Sequence, residues 1–268
     1  MKKTILLTYP SKFIAHLQGF DYCLKINDPR KLTEINFLCS NGELSPLKIL
    51  VFIENEEELI ECNKYSDLPL IIFLSKCQNI IDNISVPVFL NSEHKENFDA
   101  CKKWNKEGGK ARCGMYVKPG TKIRWDLLED LRLFGLNNQL NIEPFQHLTN
   151  VNFKRQMPHL QALYLNDPSH YMHVNEEGYY AFSLEAMEKK EYVGNLTDDT
   201  LVEIDKKWKK YMLEEYNYFL KDHECASCVS WRICRGLYGK GKNCECSELF
   251  ISLIAEKNNL ISKTEHNG

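Results

Sequence analysis

Four stretches decide the fold: LKILVFI at Leu47–Ile53, LPLIIFL at Leu68–Leu74, VPVFL at Val86–Leu90 and ARCGMYV at Ala111–Val117. Each is short and nearly continuous in apolar character, the mark of a strand buried on both faces. Amphipathic stretches lie between them. Asn55–Cys62 is acidic and helical in pattern, and a segment from near Ser92 sets Phe98, Cys101 and Trp104 at i+3 steps. Ile123, Leu127, Leu128, Leu131 and Leu133 predict a helix that stops at Gly135, and Leu140 with Ile142 a further strand cut off by Pro144. Strands alternating with helices make βα units and a parallel sheet. The expectation for residues 1–150 is an α/β layer, either an open parallel sheet or a partial βα barrel.

Downstream, residues 143–175 carry Pro144, Pro158 and Pro168 and read as a connector. Tyr171–Ala181 predicts a hairpin around Glu177-Gly178. A long helix follows, capped by Thr197 or Asp198, with Leu201, Ile204, Trp208, Met212, Tyr216 and Phe219 on one stripe and its end at Lys221-Asp222. Ser247–Lys257 predicts a short closing helix, and residues 261–268 a loose tail.

The chain has 268 residues, 34 Lys+Arg and 37 Asp+Glu, and a formal charge of −3. No global basic field is present to hold nucleic acid or an anionic membrane. No apolar run approaches the ~18 residues of a membrane span. The start, Met1-Lys2-Lys3 and then Thr4–Leu7 before Tyr9-Pro10, is too short for a signal peptide's apolar region. A soluble cytoplasmic protein is expected.

Eleven cysteines are the compositional oddity. Six are scattered: Cys23, Cys39, Cys62, Cys77, Cys101 and Cys113, which read as small buried hydrophobes in a reducing compartment. Five crowd together: Cys225, Cys228, Cys234, Cys244 and Cys246. A C-x2-C turn aims two thiolates at one centre, and a third cysteine six residues on can close over it. Arg232, Arg235, Lys240 and Lys242 surround the run, and positive neighbours favour thiolates. Zinc on Cys225, Cys228, Cys244 and Cys246 and a 4Fe–4S cluster on the triplet plus a fourth cysteine are both compatible with the spacing.

Val174–Gly178, then Gly194-Asn195-Leu196, Leu201 and Ile204, then Cys225-x2-Cys228-x5-Cys234, resemble the SPASM/twitch extension of radical SAM peptide-modifying enzymes over roughly residues 170–250. The resemblance implies a degenerate radical-SAM-like βα domain at 1–165 and a SPASM/twitch-like iron–sulfur domain at 166–260. It also implies one 4Fe–4S cluster on Cys225, Cys228, Cys234 and Cys246, with Cys244 as the alternative fourth ligand and structural zinc as the alternative metal. The second auxiliary cluster of full SPASM domains is expected to be absent, because Phe182, Ser183 and Tyr238 stand where its cysteines belong. The C-x3-C-x2-C motif that cleaves S-adenosylmethionine is also missing, so no catalytic residue is assigned. The implied role is that of an accessory protein of grasp-with-spasm type in maturation of a ribosomally synthesised peptide. Its partners would be a precursor peptide, an ATP-grasp-type ligase or another maturation enzyme. A cluster-dependent redox or peptide-modifying enzyme and a zinc-stabilised interaction module are the alternatives.

Other candidates weigh less. Gly236–Asn243 comes near a P-loop but ends in Asn243, not the Ser/Thr that holds magnesium. Glu54, Glu56, Glu57 and Glu58 read as a solvated helix start. His147, His159, His170, His173 and His223 read as isolated surface or core residues, and Trp104, Trp125, Trp208 and Trp231 as packing residues, Trp231 shielding the centre.

Overall fold

Strands form where β-branched and leucine-rich pentads are flanked by turn residues, and in the computed structural model they assemble into one sheet. The structure describes residues 4–17, 20–79, 83–107, 111–118, 124–150, 163–165, 167–221 and 224–227. Two strands precede those delimited from the sequence, β1 (Thr4–Thr8) and β2 (Tyr22–Ile26), joined through a 3-10 turn at Lys12–Leu17. Then come α1 (Lys31–Ser40), β3 (Ile49–Ile53), α2 (Glu56–Asn63), β4 (Leu70–Leu74), β5 (Val88–Asn91), α3 (Lys95–Lys106) and β6 (Cys113–Tyr116). After them follow α4 (Trp125–Asn137), α5 (Phe145–Asn150), β7 (Tyr171–Val174), β8 (Tyr179–Ala181), α6 (Leu184–Glu188), β9 (Gly194–Asn195) and α7 (Leu201–Lys221).

The sheet order is β6-β5-β4-β3-β2-β1-β7-β8-β9. Every pairing from β6 to β7 is parallel, and β8 and β9 close that flank antiparallel. The sheet is open and mostly parallel. The hairpin of β7 and β8 extends it beside β1.

Strands that pair in sequence order have crossovers of one hand, which put their helices on one face. The register sets Ile5, Leu7, Leu24, Ile26, Ile49, Val51, Ile72, Leu74, Val88 and Leu90 on a common face, all buried. Cys113 belongs to this face, and its thiol meets Cys101 of α3, so α3 packs there. Leu32 and Ile35 of α1 and Leu59 and Cys62 of α2 are fully buried. Five of the six scattered cysteines are buried, and Cys39 is half-buried.

Three sequence expectations need correction. Leu140–Ile142 form no strand. The chain makes one bond to the sheet edge just after it, Glu143 O accepting from Met115 N at 3.0 Å, and the following Pro144 has no N–H to continue a ladder. Gly114 permits this approach, since a Cβ there would stand 2.7 Å from that of Glu143. α4 does not stop at Gly135 but runs on to Asn137; Gly135 instead gives room for the returning chain, with Leu140 O 3.3 Å from where its Cβ would be. The long helix starts at Leu201, and its cap is Thr200: Thr200 Oγ1 accepts from Glu203 N while Glu203 Oε2 accepts from Thr200 N at 2.8 Å. The helix ends at Lys221, as its pattern predicts.

Candidate functional site

α7 delivers the chain to the cysteine run. A 3-10 turn at Glu224–Ser227 follows it and contains Cys225. Cys228, Cys234, Cys244 and Cys246, with Trp231, the Gly236–Asn243 loop and the closing helix, lie outside the described residues, as do His159 and His223. Among the described residues no group of three or more His, Cys, Asp or Glu is placed to hold a metal ion. No helix among them is long and apolar enough to cross a membrane.

What the structure explains is how the hairpin is joined to α7. Asn175 Oδ1 accepts from Glu177 N and Tyr179 N, and Gly178 takes the turn at φ +88°. β9 is then the Gly194-Asn195 pair itself, paired with Tyr180 and Tyr179. Asn195 Oδ1 accepts from Thr197 N and Thr197 Oγ1, both at 2.9 Å, which turns the chain toward the helix. Asp199 accepts from Tyr180 Oη at 2.8 Å and from Lys207 Nζ at 2.7 Å. These groups crowd onto Gly194: a Cβ there would lie 1.9 Å from Asp199 Oδ2 and 2.7 Å from Tyr180 Oη. The glycine is required by this strand–loop–helix junction. The Lys207 ammonium bonded to Asp199 holds its carboxyl below the ordinary 3.8, against burial, with Tyr180 adding a second bond. Trp208 Nε1 donates to Pro168 O at 2.8 Å and fastens α7 to the segment before β7.

A second set of groups lies on the sheet face opposite the aliphatic one. The register places Leu6, Thr8, His173, Lys25, Phe52, Phe73, Phe89 and Tyr116 there. Phe52 and Phe73 stack at 4.7 Å, Tyr116 meets Phe73 edge-on at 4.8 Å, and Tyr164 closes on Tyr116 at 4.9 Å. Lys25, half-buried at the carboxyl end of β2, holds its ammonium 4.8 Å from the Phe52 ring. Burial pulls the Lys25 ammonium below its ordinary value, Glu188 opposes that shift and Lys118 adds to it. Lys118 itself pairs with Glu188 at 3.0 Å. His173 is buried, its Nε2 has no hydrogen-bond partner among the described residues, and burial followed by the Lys25 charge pushes it down to about 3. It is a neutral core imidazole.

Sequence reasoning did not single out Lys25. The available signal was a lone lysine inside the strand YCLKI, which a solvent-facing reading explains equally well. Of the other histidines, His170 is exposed and bonds Asp167 at 2.7 Å, and the His147 backbone N–H donates to Glu143 Oε2 at 2.8 Å. Glu58 serves the helix start, its Oε2 accepting from Glu54 N, whereas Glu56 Oε1 accepts from Asn79 N and ties the helix start to the chain after β4. Trp104 is buried, with no partner for its Nε1 among the described residues, and Trp125 and Trp208 are packed against the core. No protein-family model, no characterised protein and no solved structure matches the chain.

Proposed function

We propose that this chain is an accessory protein in the maturation of a ribosomally synthesised peptide. It carries one 4Fe–4S cluster on Cys225, Cys228, Cys234 and Cys246, and it recognises the precursor peptide or docks an ATP-grasp-type ligase. The observation that carries the reading is the junction at Gly194. The Gly-Asn pair, the hairpin and the start of α7 are, with the cysteine triplet, the elements on which the SPASM/twitch resemblance rests, and here the first three form one hydrogen-bonded unit ahead of Cys225 in the chain. Four thiolates in a loop rich in Lys and Arg suit a cluster by donor chemistry. When bound, such a cluster supplies rigidity or electron transfer. The chain's own residues supply the sheet, the junction and the surface that a partner would meet.

The test is anaerobic purification of the full chain. About four iron and four sulfide per chain are expected. Cys225→Ala, Cys228→Ala and Cys234→Ala should each lose the metal, and Cys62→Ala or Cys101→Ala, whose thiols are buried in the core, should keep it. Loss in Cys246→Ala with retention in Cys244→Ala identifies the fourth ligand. Stoichiometric zinc without sulfide overturns the cluster.

A further inference from the structure

A cleft of about 790 Å³ opens beside the carboxyl end of β1, walled by the loop Tyr9–Ala15, by α1 with the turn after it, and by Glu176 of the hairpin. Its position follows from connectivity. β1 and β7 are parallel neighbours, yet the chain leaves β1 toward β2 and leaves β7 toward β8 on the opposite flank. Loops that diverge from adjacent parallel strands leave a crevice at their carboxyl ends, the place where open α/β sheets bind ligands. The walls are fastened to each other. Ser11 Oγ donates to Glu176 O at 3.3 Å, and Phe13 closes on Gly178, where a Cβ would stand 2.4 Å from its ring.

Among the described residues the lining is apolar at Pro10, Ile14, Leu38 and Leu44, and acidic at Glu34, Glu43 and Glu176 against one cation, Lys12. Glu34 is engaged, by Lys31 at 3.5 Å and by the Tyr9 hydroxyl. Glu43 and Glu176 are different: both are exposed, they come from separate walls, and neither side chain has an ion pair among the described residues. Three carboxylates against one lysine leave the lining net acidic, and two of them, Glu43 and Glu176, beside an apolar floor complement a positive group carried on an apolar chain.

We propose that this cleft binds a short basic peptide segment, a Lys or Arg flanked by aliphatic or aromatic residues. The proposal rests on the peptide-maturation reading and names the class of peptide it would take. The volume lies in the roughly 300–1,000 Å³ range of sites for small ligands, which suits a few residues of an extended chain.

The test presents a randomised hexapeptide pool to the immobilised full chain and sequences what is retained. Expected is enrichment of Lys or Arg beside Leu, Ile or Phe, weakened by added salt and reduced about tenfold in the Glu43→Lys/Glu176→Lys chain. Glu43→Gln/Glu176→Gln should give an intermediate loss, and serves alone if the reversed chain does not fold by circular dichroism. No enrichment, enrichment of acidic peptides, or the same enrichment in the folded variants overturns the proposal. The outcome is separable from the cluster: a metal-free chain that still selects basic peptides keeps the cleft and loses the iron–sulfur reading, and an iron-loaded chain that selects none does the reverse.

Discussion

A buried histidine with an unpartnered nitrogen is a charge that the fold refuses. His173 sits on β7 between Leu6 and Ala181 in register, with the Lys25 ammonium near enough to oppose a second positive charge. The unfolded chain protonates this imidazole near its ordinary 6.5, whereas the folded chain resists until about 3. Its contribution to stability is therefore complete above 6.5 and is lost progressively as pH falls from 6.5 toward 3. For one such group the slope approaches about 1.4 kcal/mol per pH unit inside that window. His173→Leu removes the titration and the unpartnered Nε2 together. Urea unfolding of the variant should show stability at pH 7 no lower than that of the parent, and a shallower fall between pH 6 and pH 4. An unchanged acid dependence would mean that His173 is not held neutral in the fold.

At the scale of elements, the junction at Gly194 makes a sharper claim. Asp199 Oδ2 is pinned by Tyr180 and Lys207, so it cannot swing aside cheaply to admit a methyl group. Gly194→Ala should cost about 1–3 kcal/mol, the loss of one or two charge-assisted hydrogen bonds, read by urea denaturation. Asp199→Ala relieves the crowding, so the double variant should lose less than the sum of the two singles. Full additivity would show that the methyl group and the carboxylate do not compete for the same space. This junction was partly legible in the sequence. The Gly-Asn pair stood out as a pattern, and the hairpin around Glu177-Gly178 was read from its turn residues. The roles of Tyr180 and Lys207 were not legible, because Tyr180 meets Asp199 only after the hairpin folds, and Lys207, eight residues on, reaches it across two turns of α7 at a spacing that no local pattern marks. The start of α7 was misplaced for a related reason. Thr197, Asp198 and Thr200 are all cap-forming residues, and the choice among them was made by Asn195, which takes Thr197 into its own turn. The strand expected at Leu140–Ile142 failed because an apolar pair before a proline looks the same whether it pairs or merely seals an edge.

For the molecule as a whole, the order of the sheet bears on what the chain can do. Consecutive pairing from β6 to β1 puts helices over one face and leaves Lys25, Phe52, Phe73 and Tyr116 on the other, toward the carboxyl ends of their strands. The four strands of one flank, β3 to β6, were legible as apolar runs, but the division between faces was not, since strands apolar on both sides carry no alternation to read. In a reductive cleavage of S-adenosylmethionine, an iron with a vacant position must chelate the cofactor's amino and carboxylate groups, and three closely spaced cysteines provide that iron. The loop between β1 and β2, Tyr9–Asp21, contains no cysteine at all, and Cys23 lies within β2 on the side of Leu6. The only dense set, Cys225 to Cys246, has enough thiolates to fill every corner of one cluster. A filled cluster has no vacancy for the cofactor. Reconstituted protein reduced with dithionite and given S-adenosylmethionine should form no 5′-deoxyadenosine above a protein-free control. Turnover that is present in the parent and vanishes in Cys225→Ala would instead place catalysis at the carboxyl-terminal cysteines and overturn the proposed accessory role.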